Sequence, residues 1–386
     1  MIGYNSLSEV KKNLRIQWYR SPIDKEILSV LTLKSDLKGF IQAGGHFLII
    51  ILTGLITYFF WLNSAWFYFF IALFLHGTAS SFLKGVAPHE LGHGTVFRTR
   101  KYNKFFLYLF SLISWWDPFD YAVSHTYHHR FSMYPNADRE NLLPLKPSLE
   151  LSLLIQLFSF DLFSKSGRNF SKGGIISTIY LTFLSSIGKT GSLKIPSQEW
   201  LKSLHFDQPN EHRKSIFWSR MLLFFHGSLL IFSLASGLWV LPLIITFSTF
   251  TASWASYFVG LTQHCGLKDN DPDFRKCTRT ITINPVLSFL YWHMNWHLEH
   301  HMYAGVPCYN LKKLNSEIKD DLPVPRTLVG AWKEMRETWH RQKEDPDFQF
   351  DTAIPAQKIN NSSTTSNPLE YSIGDLAPEG LSKQFP

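Results

Sequence analysis

Charge is scarce in this chain. Asp, Glu, Lys and Arg supply 18% of its 386 residues, against about 25% in an average globular protein. Hydrophobic residues make up 45% and aromatics 16%, with Phe alone occurring 33 times. That balance argues against two soluble domains, which the length by itself would permit. Cysteine is also scarce. Cys265, Cys277 and Cys308 are the only three, an odd number late in the chain that argues against a disulfide framework and for a reducing compartment. The first 38 residues hold no apolar stretch, so no cleavable signal peptide is expected. Negative charge is the shorter of the two signs: 30 Asp and Glu stand against 38 Lys and Arg, a net +8. Beside apolar stretches of membrane length, that excess points to an anionic membrane surface and away from nucleic acid.

What the chain has instead is long apolar runs. Residues 39–62 carry no charge, and residues 65–83 continue after only Asn63 and Ser64. A run of 24 residues reaches about 36 Å as a helix, enough for a hydrocarbon core of about 30 Å. A second pair follows at 216–235 and 238–261, broken at Ser236-Gly237, with Arg220 placed to snorkel. Both tight turns are uncharged. The N-terminal segment carries Lys11, Lys12, Arg15, Arg20, Lys25, Lys34 and Lys38, and the central segment opens with RTRKYNK. The positive-inside rule therefore places both termini and the central segment in the cytosol. Runs at 105–114, 151–163 and 175–187 are too short to span and read as interfacial or re-entrant helices.

The predicted fold is all-α and integral to the membrane. It has four transmembrane helices in two hairpins, with a cytosolic helical cap. Residues 1–38 form a cytosolic N-terminal segment and 39–350 the membrane domain, while the Ser-, Asn- and Thr-rich residues 351–386 read as a disordered tail.

The chain has 16 His, and eight fall into three clusters beyond the ends of apolar runs. These are His89 and His93 in HELGH, His125, His128 and His129 in HTYHH, and His297, His300 and His301 in HLEHH. Helical spacings of i, i+3 and i+4 place side chains on one face, so each cluster is expected to aim its imidazoles at one point. Eight imidazoles exceed the four ligands of one zinc and suit two metal ions. HELGH also fits the zinc-protease signature, in which Glu90 would be the general base. That chemistry needs one further ligand, not two HxxHH clusters. In the two-metal reading Glu90 instead orients a His.

The order HxxxH, HxxHH, HxxHH resembles the membrane fatty acid desaturase superfamily, which also holds hydroxylases. The resemblance runs from about residue 39 to residue 323. HHRFSMYPNADRENLLPL resembles the segment that follows the second box there, and DYAVSHTYHH the segment before it, with Tyr121 where Trp is frequent. GLTQHCGL resembles the stretch carrying a lone extra ligand, which implies His264 as a ninth. Gly260 stands where some members hold an Asn for a metal-bound water. The resemblance implies two iron ions held by His, O2 as co-substrate, and a double bond introduced into a fatty acyl chain or related lipid. No haem-binding His-Pro-Gly-Gly stretch and no iron–sulfur Cys set occur in the chain. A separate donor, ferredoxin or cytochrome b5 with its reductase, is therefore implied, and the basic cytosolic surface suits an acidic carrier.

Plainer readings apply to the other residues. His46, His76 and His226 lie in or near apolar helices and read as hydrogen-bonded packing. His293 reads as a surface or supporting residue, and His205, His212 and His340 as solvated. Glu90, Asp120, Asp138, Asn295 and Glu299 are the candidates for orienting metal-bound His. Cys265 reads as packing, and Trp115-Trp116 as a possible wall of the acyl slot. Three other functions compete. One is a hydroxylase on the same metal site, another the zinc protease, and the third a metal transporter with a midplane site around His76 and His226.

Overall fold

The computed structural model describes residues 4–141, 149–164 and 172–355. The expected tail lies outside the described residues from 356 onward. The chain is mostly helical, and its only sheet among the described residues is a parallel pair, Ile281–Thr282 with Arg326–Thr327.

Among the described residues, three helices are long and apolar enough to cross a membrane: Asp36–Leu62, Trp66–Gly92 and Pro209–Ser236. Each has 27 or 28 residues, about 40 Å at helical rise. The first two are joined by residues 63–65 alone, so they run antiparallel. Residue 36, at the start of the first, and residue 92, at the end of the second, therefore lie at one end of the molecule. The third starts at that end too: its Ser215 donates a hydrogen bond to Asp117, the N-cap of the helix Pro118–Phe131, and His125 of that helix packs against His89 and His93 at the end of the second. Outward faces are greasy: Leu55, Phe67, Phe70, Phe224 and Ile231 are all exposed. Such a continuous apolar belt is a liability in water and ordinary in lipid.

The fourth apolar run does not form the single helix its length suggests. Gly237, at φ 73°, ends the third helix. A π turn Pro242–Thr246, a 3-10 turn Ser248–Phe250 and a short helix Trp254–Gly260 follow. Pro242 has no N–H to give, and the small polar residues Ser248, Thr249, Thr251 and Ser253 compete with the backbone for hydrogen bonds. Irregular buried backbone needs hydrogen-bond partners from elsewhere in the protein, and here it has them. His76 Nε2 lies 2.8 Å from the Ile244 carbonyl, and Trp115 Nε1 donates to the Thr246 carbonyl at 2.9 Å. Phe160 and Thr251 form an antiparallel bridge.

Gly77 lets this segment approach the second span. A Cβ on Gly77 would lie 2.7 Å from the Thr251 carbonyl carbon, a clash with backbone that no rotamer can relieve. Gly77→Ala is therefore expected to cost about 1–3 kcal/mol, seen as a lower melting temperature of the detergent-solubilised protein.

The shorter runs are helical in part. They fall in Arg100–Ile113, Leu151–Phe158 and Ile175–Ser186, and the last packs along Pro209–Ser236. The N-terminal segment is not a loose arm. Tyr19 bridges to Asp273, and Arg20 Nε donates to the Met302 carbonyl at 2.7 Å. Tyr19 and Arg20 thus tie the N-terminal segment to the last third of the chain.

Candidate metal centre

Each histidine motif sits on its own element. His89 lies on Val86–Gly92, the last turns of the second span, with His93 at its C-cap. Pro118–Phe131 carries the second motif. Asp117 starts that helix by accepting the N–H groups of Phe119 and Asp120, with Pro118 in the first turn. The third lies on His297–Met302, and His264 in the turn after Trp254–Gly260.

The structure brings all nine histidines together, in two groups that cut across the motifs. His89, His93, His125, His129 and His300 form one, and His128, His264, His297 and His301 the other. In each group the possible ligand atoms lie within 4.8 Å of one another. The expectation that each motif aims at one point is therefore corrected. At about 100° per residue, positions i and i+4 align while i+3 swings away. The pair His125/His129 faces the first group and His128 the second; His297/His301 faces the second and His300 the first. The two groups abut, with the His129 and His301 rings stacked at 4.6 Å.

Every imidazole in the two groups is at least nine-tenths buried. Burial, reinforced by the neighbouring rings, holds His93 and His264 near a pKa of about 3. It keeps His125, His129, His297, His300 and His301 well below the ordinary imidazole range. These rings are neutral near pH 7, the form that ligates metal. His128 differs. Burial lowers its pKa too, but Asp138 outweighs burial and the net shift is upward.

Acceptors behind the rings fix their tautomers. Asp138 lies 2.8 Å from His128 Nδ1, Glu90 2.9 Å from His89 Nδ1, and Glu140 3.1 Å from His125 Nδ1. The Cys277 carbonyl takes His264 Nδ1 at 2.8 Å, and the Ser132 hydroxyl, which donates to the His128 carbonyl, takes His301 Nδ1 at 3.1 Å. Each ring therefore keeps its proton on Nδ1 and turns a bare Nε2 inward. His264 and His301 bring such lone pairs to 3.0 and 3.1 Å from His297 Nε2, and one proton on His297 satisfies at most one of them. His89 Nε2 is buried with no hydrogen-bond partner among the described residues. A cation within each group resolves both conditions, so the donor sets fit two metal ions.

Of the five proposed orienting residues, Glu90 and Asp138 contact these histidines. Asp120 does not. It accepts from His205 at 2.9 Å and from Ser215 at 3.0 Å. Asn295 instead holds the Ile281 carbonyl and the Ser288 hydroxyl, and Glu299 accepts from Thr280 and Asn315. Both brace the backbone around the third motif. Glu140, outside those five, also contacts one, through His125. Its signal in the sequence is its place two residues after Asp138 in NADREN, in the stretch that follows the second motif. His205, expected in water, is instead nine-tenths shielded along its side chain and stacks on His212 at 3.7 Å.

The His205–Asp120 pair gives a pH prediction. Burial lowers the His205 pKa, but Asp120 outweighs it and the net shift is upward. A raised His pKa contributes stability that is present below the unfolded value of about 6.5 and is lost as pH rises through the folded value. His205→Ala should thus lower the melting temperature more at pH 6 than at pH 8.5.

The intramembrane histidines serve the backbone. His46 Nε2 donates to the Ala79 carbonyl while Trp292 Nε1 donates to His46 Nδ1, each at 3.0 Å. His76 sits between Thr53 and Ile244, and His226 between Thr246 and Leu112. Ser288 partners His293. Burial pushes the Cys265 thiol up to about 12, which keeps it protonated among Trp332, Met335 and Trp339.

A cavity of about 230 Å³ adjoins the centre, and His89 and His264, one from each group, line it. Trp116, Tyr121, Tyr257 and Gly260 form other walls. Trp115 instead stacks on His226 at 4.0 Å, away from that cavity.

A comparison with individually curated proteins finds no match. The family model for fatty acid desaturases matches residues 64–333, most of the chain and all three histidine motifs. With nine buried imidazoles arranged in two donor groups inside that match, the chain belongs to the fatty acid desaturase family.

Proposed function

We propose that the protein is an O2-dependent membrane oxidase that introduces a double bond into a fatty acyl chain or related lipid. The observation that carries this reading is the cavity touching His89 and His264, because a substrate carbon there lies beside both donor groups at once. Two iron ions held by the nine histidines would supply the oxidising chemistry an unactivated C–H bond requires. Overall, –CH2–CH2– and O2, with two electrons and two protons, give –CH=CH– and two waters. Glu90, Asp138 and Glu140 hold the imidazole tautomers. The buried rings keep bulk water from the centre, and Trp116, Tyr121 and Tyr257 shape the approach.

Topology supports entry from the bilayer. The third span leaves the histidine end at residue 209 and ends at 236, yet His264 lies beside His128 and His301. The chain must return in between, so residues 238–261 serve as a fourth, broken crossing. With uncharged far turns and a basic N-terminus, the histidine end faces the cytosol. The two electrons come from a separate acidic carrier, ferredoxin or cytochrome b5.

The test is a mass-spectrometric comparison of lipids from cells expressing the intact protein or His297→Ala, with a carrier and its reductase supplied. A product lighter by two hydrogens, absent with the variant, is expected. A product heavier by one oxygen would make the protein a hydroxylase, and no product from any lipid class would reject the reading.

A further inference from the structure

Two cavities adjoin the centre. The second, about 80 Å³, is lined by His129 and His301, again one histidine from each group. Its other walls include Trp18, Arg20, Arg130 and Tyr303, so it opens between the N-terminal segment and the end of the third motif. No carboxylate lines it among the described residues. Arg15 stands near enough to Arg130, and Arg130 near enough to Arg20, for each pair to repel. These like charges are held together by carbonyls. Arg15 donates to the Lys11 and Leu14 carbonyls, and Arg20 to that of Met302. The Arg130 carbonyl in turn takes the Trp18 indole N–H at 3.1 Å. The Trp18 ring stacks on Phe274 at 4.1 Å, and Phe274 lies 5.5 Å from the His301 ring. Packed aromatic rings thus connect a basic rim to the second donor group.

Resting on the di-iron reading, we infer that Arg15, Arg20 and Arg130 form the docking rim for the acidic one-electron carrier protein, which delivers electrons through the face made by His129 and His301. A cluster of one charge sign at a concave mouth raises the encounter rate of an oppositely charged protein by about 10- to 1000-fold. Each docking would oxidise one carrier by one electron and pass that electron to the ions that the nine histidines would hold, so two dockings would supply the two electrons of the cycle. Lipid and carrier then use separate cavities at the centre, with no lining residue in common, and neither has to leave for the other to bind.

The test uses the full-length, iron-loaded protein in detergent, with a reduced acidic ferredoxin and a reduced cytochrome b5 as probes. Association is followed by surface plasmon resonance and centre reduction by stopped flow, at 20 and 200 mM salt. Arg15→Glu combined with Arg130→Gln should slow association and reduction at low salt by about tenfold or more. Reduction by dithionite, iron content and the Michaelis constant for lipid should stay unchanged. Lys101→Glu, in the separate basic stretch RTRKYNK, should leave carrier rates unchanged. The proposal falls if neither carrier binds the intact protein, if Lys101→Glu slows the carrier instead, or if the paired arginine variant raises only the Michaelis constant for lipid, which would make the rim a headgroup site. Wild-type protein that holds no iron would reject the di-iron reading, while carrier binding still reports on the rim.

Discussion

A His300→Ala chain is expected to retain one metal ion of two, and a His301→Ala chain likewise, but not the same one. Both residues belong to HLEHH and are adjacent in sequence. His300 faces His89, His93, His125 and His129, while His301 faces His128, His264 and His297. Each substitution removes one donor from one group and none from the other. Losing an orienting partner alone costs about 10–100-fold in metal affinity or activity, so losing a ligand should cost product formation more than about 100-fold. Metal analysis together with Mössbauer spectra of 57Fe-loaded protein separates the two variants, because the surviving ions sit in different donor sets and give different quadrupole doublets. Identical residual spectra would refute the grouping. His293→Ala serves as the control: His293 is close in sequence but partnered by Ser288, and its variant should keep both ions.

Asp138→Asn should weaken metal binding or activity by about 10–100-fold, a large effect for an exchange of one oxygen for one nitrogen. The Asp138 carboxylate accepts His128 Nδ1 at 2.8 Å, the Met133 N–H at 2.9 Å and the Glu140 N–H at 3.0 Å. Burial raises its pKa, but His128 and the backbone donors outweigh burial and the net shift is downward. It is therefore ionised near neutral pH. An amide removes the charge facing His128 and turns a donor toward N–H groups that need acceptors. Asp120→Asn makes the matching contrast. Its carboxylate pairs with His205 and Ser215, so the change should lower thermal stability and leave metal content alone. Equal metal loss in both variants would contradict these separate roles.

The residues that carry the chemistry were visible in the sequence because histidine is rarely clustered by accident in apolar surroundings. The three motifs and His264 name all nine imidazoles that the structure gathers. Their division into two groups was not legible from motif spacing. It depends on a 100° difference between positions i+3 and i+4, and on where three separate helices come to rest. The carboxylates were half legible for a related reason. Asp138 and Glu140 share one short stretch, but which oxygen meets which ring depends on the turns after the second motif's helix, one of them at Met133 with φ 62°. Asp120 sits five residues before His125 and looked at least as well placed, yet it points along the other side of its helix toward His205. The first three spans followed from length and hydropathy. The fourth run has the same composition, and its breaks come from Pro242 and from side-chain donors on distant segments that no local pattern encodes.

The exchange of histidines between motifs also constrains how the molecule is made. A nascent chain that has emerged as far as residue 290 has His89, His93, His125 and His129 in place, four of the five donors of the first group, but only His128 and His264 of the second. A ribosome must pass residue 300 before the first set is full, and residue 301 before the second. Metal captured earlier would meet an incomplete, open cage, so full loading waits until the last quarter of the chain has folded back onto the helices made before it.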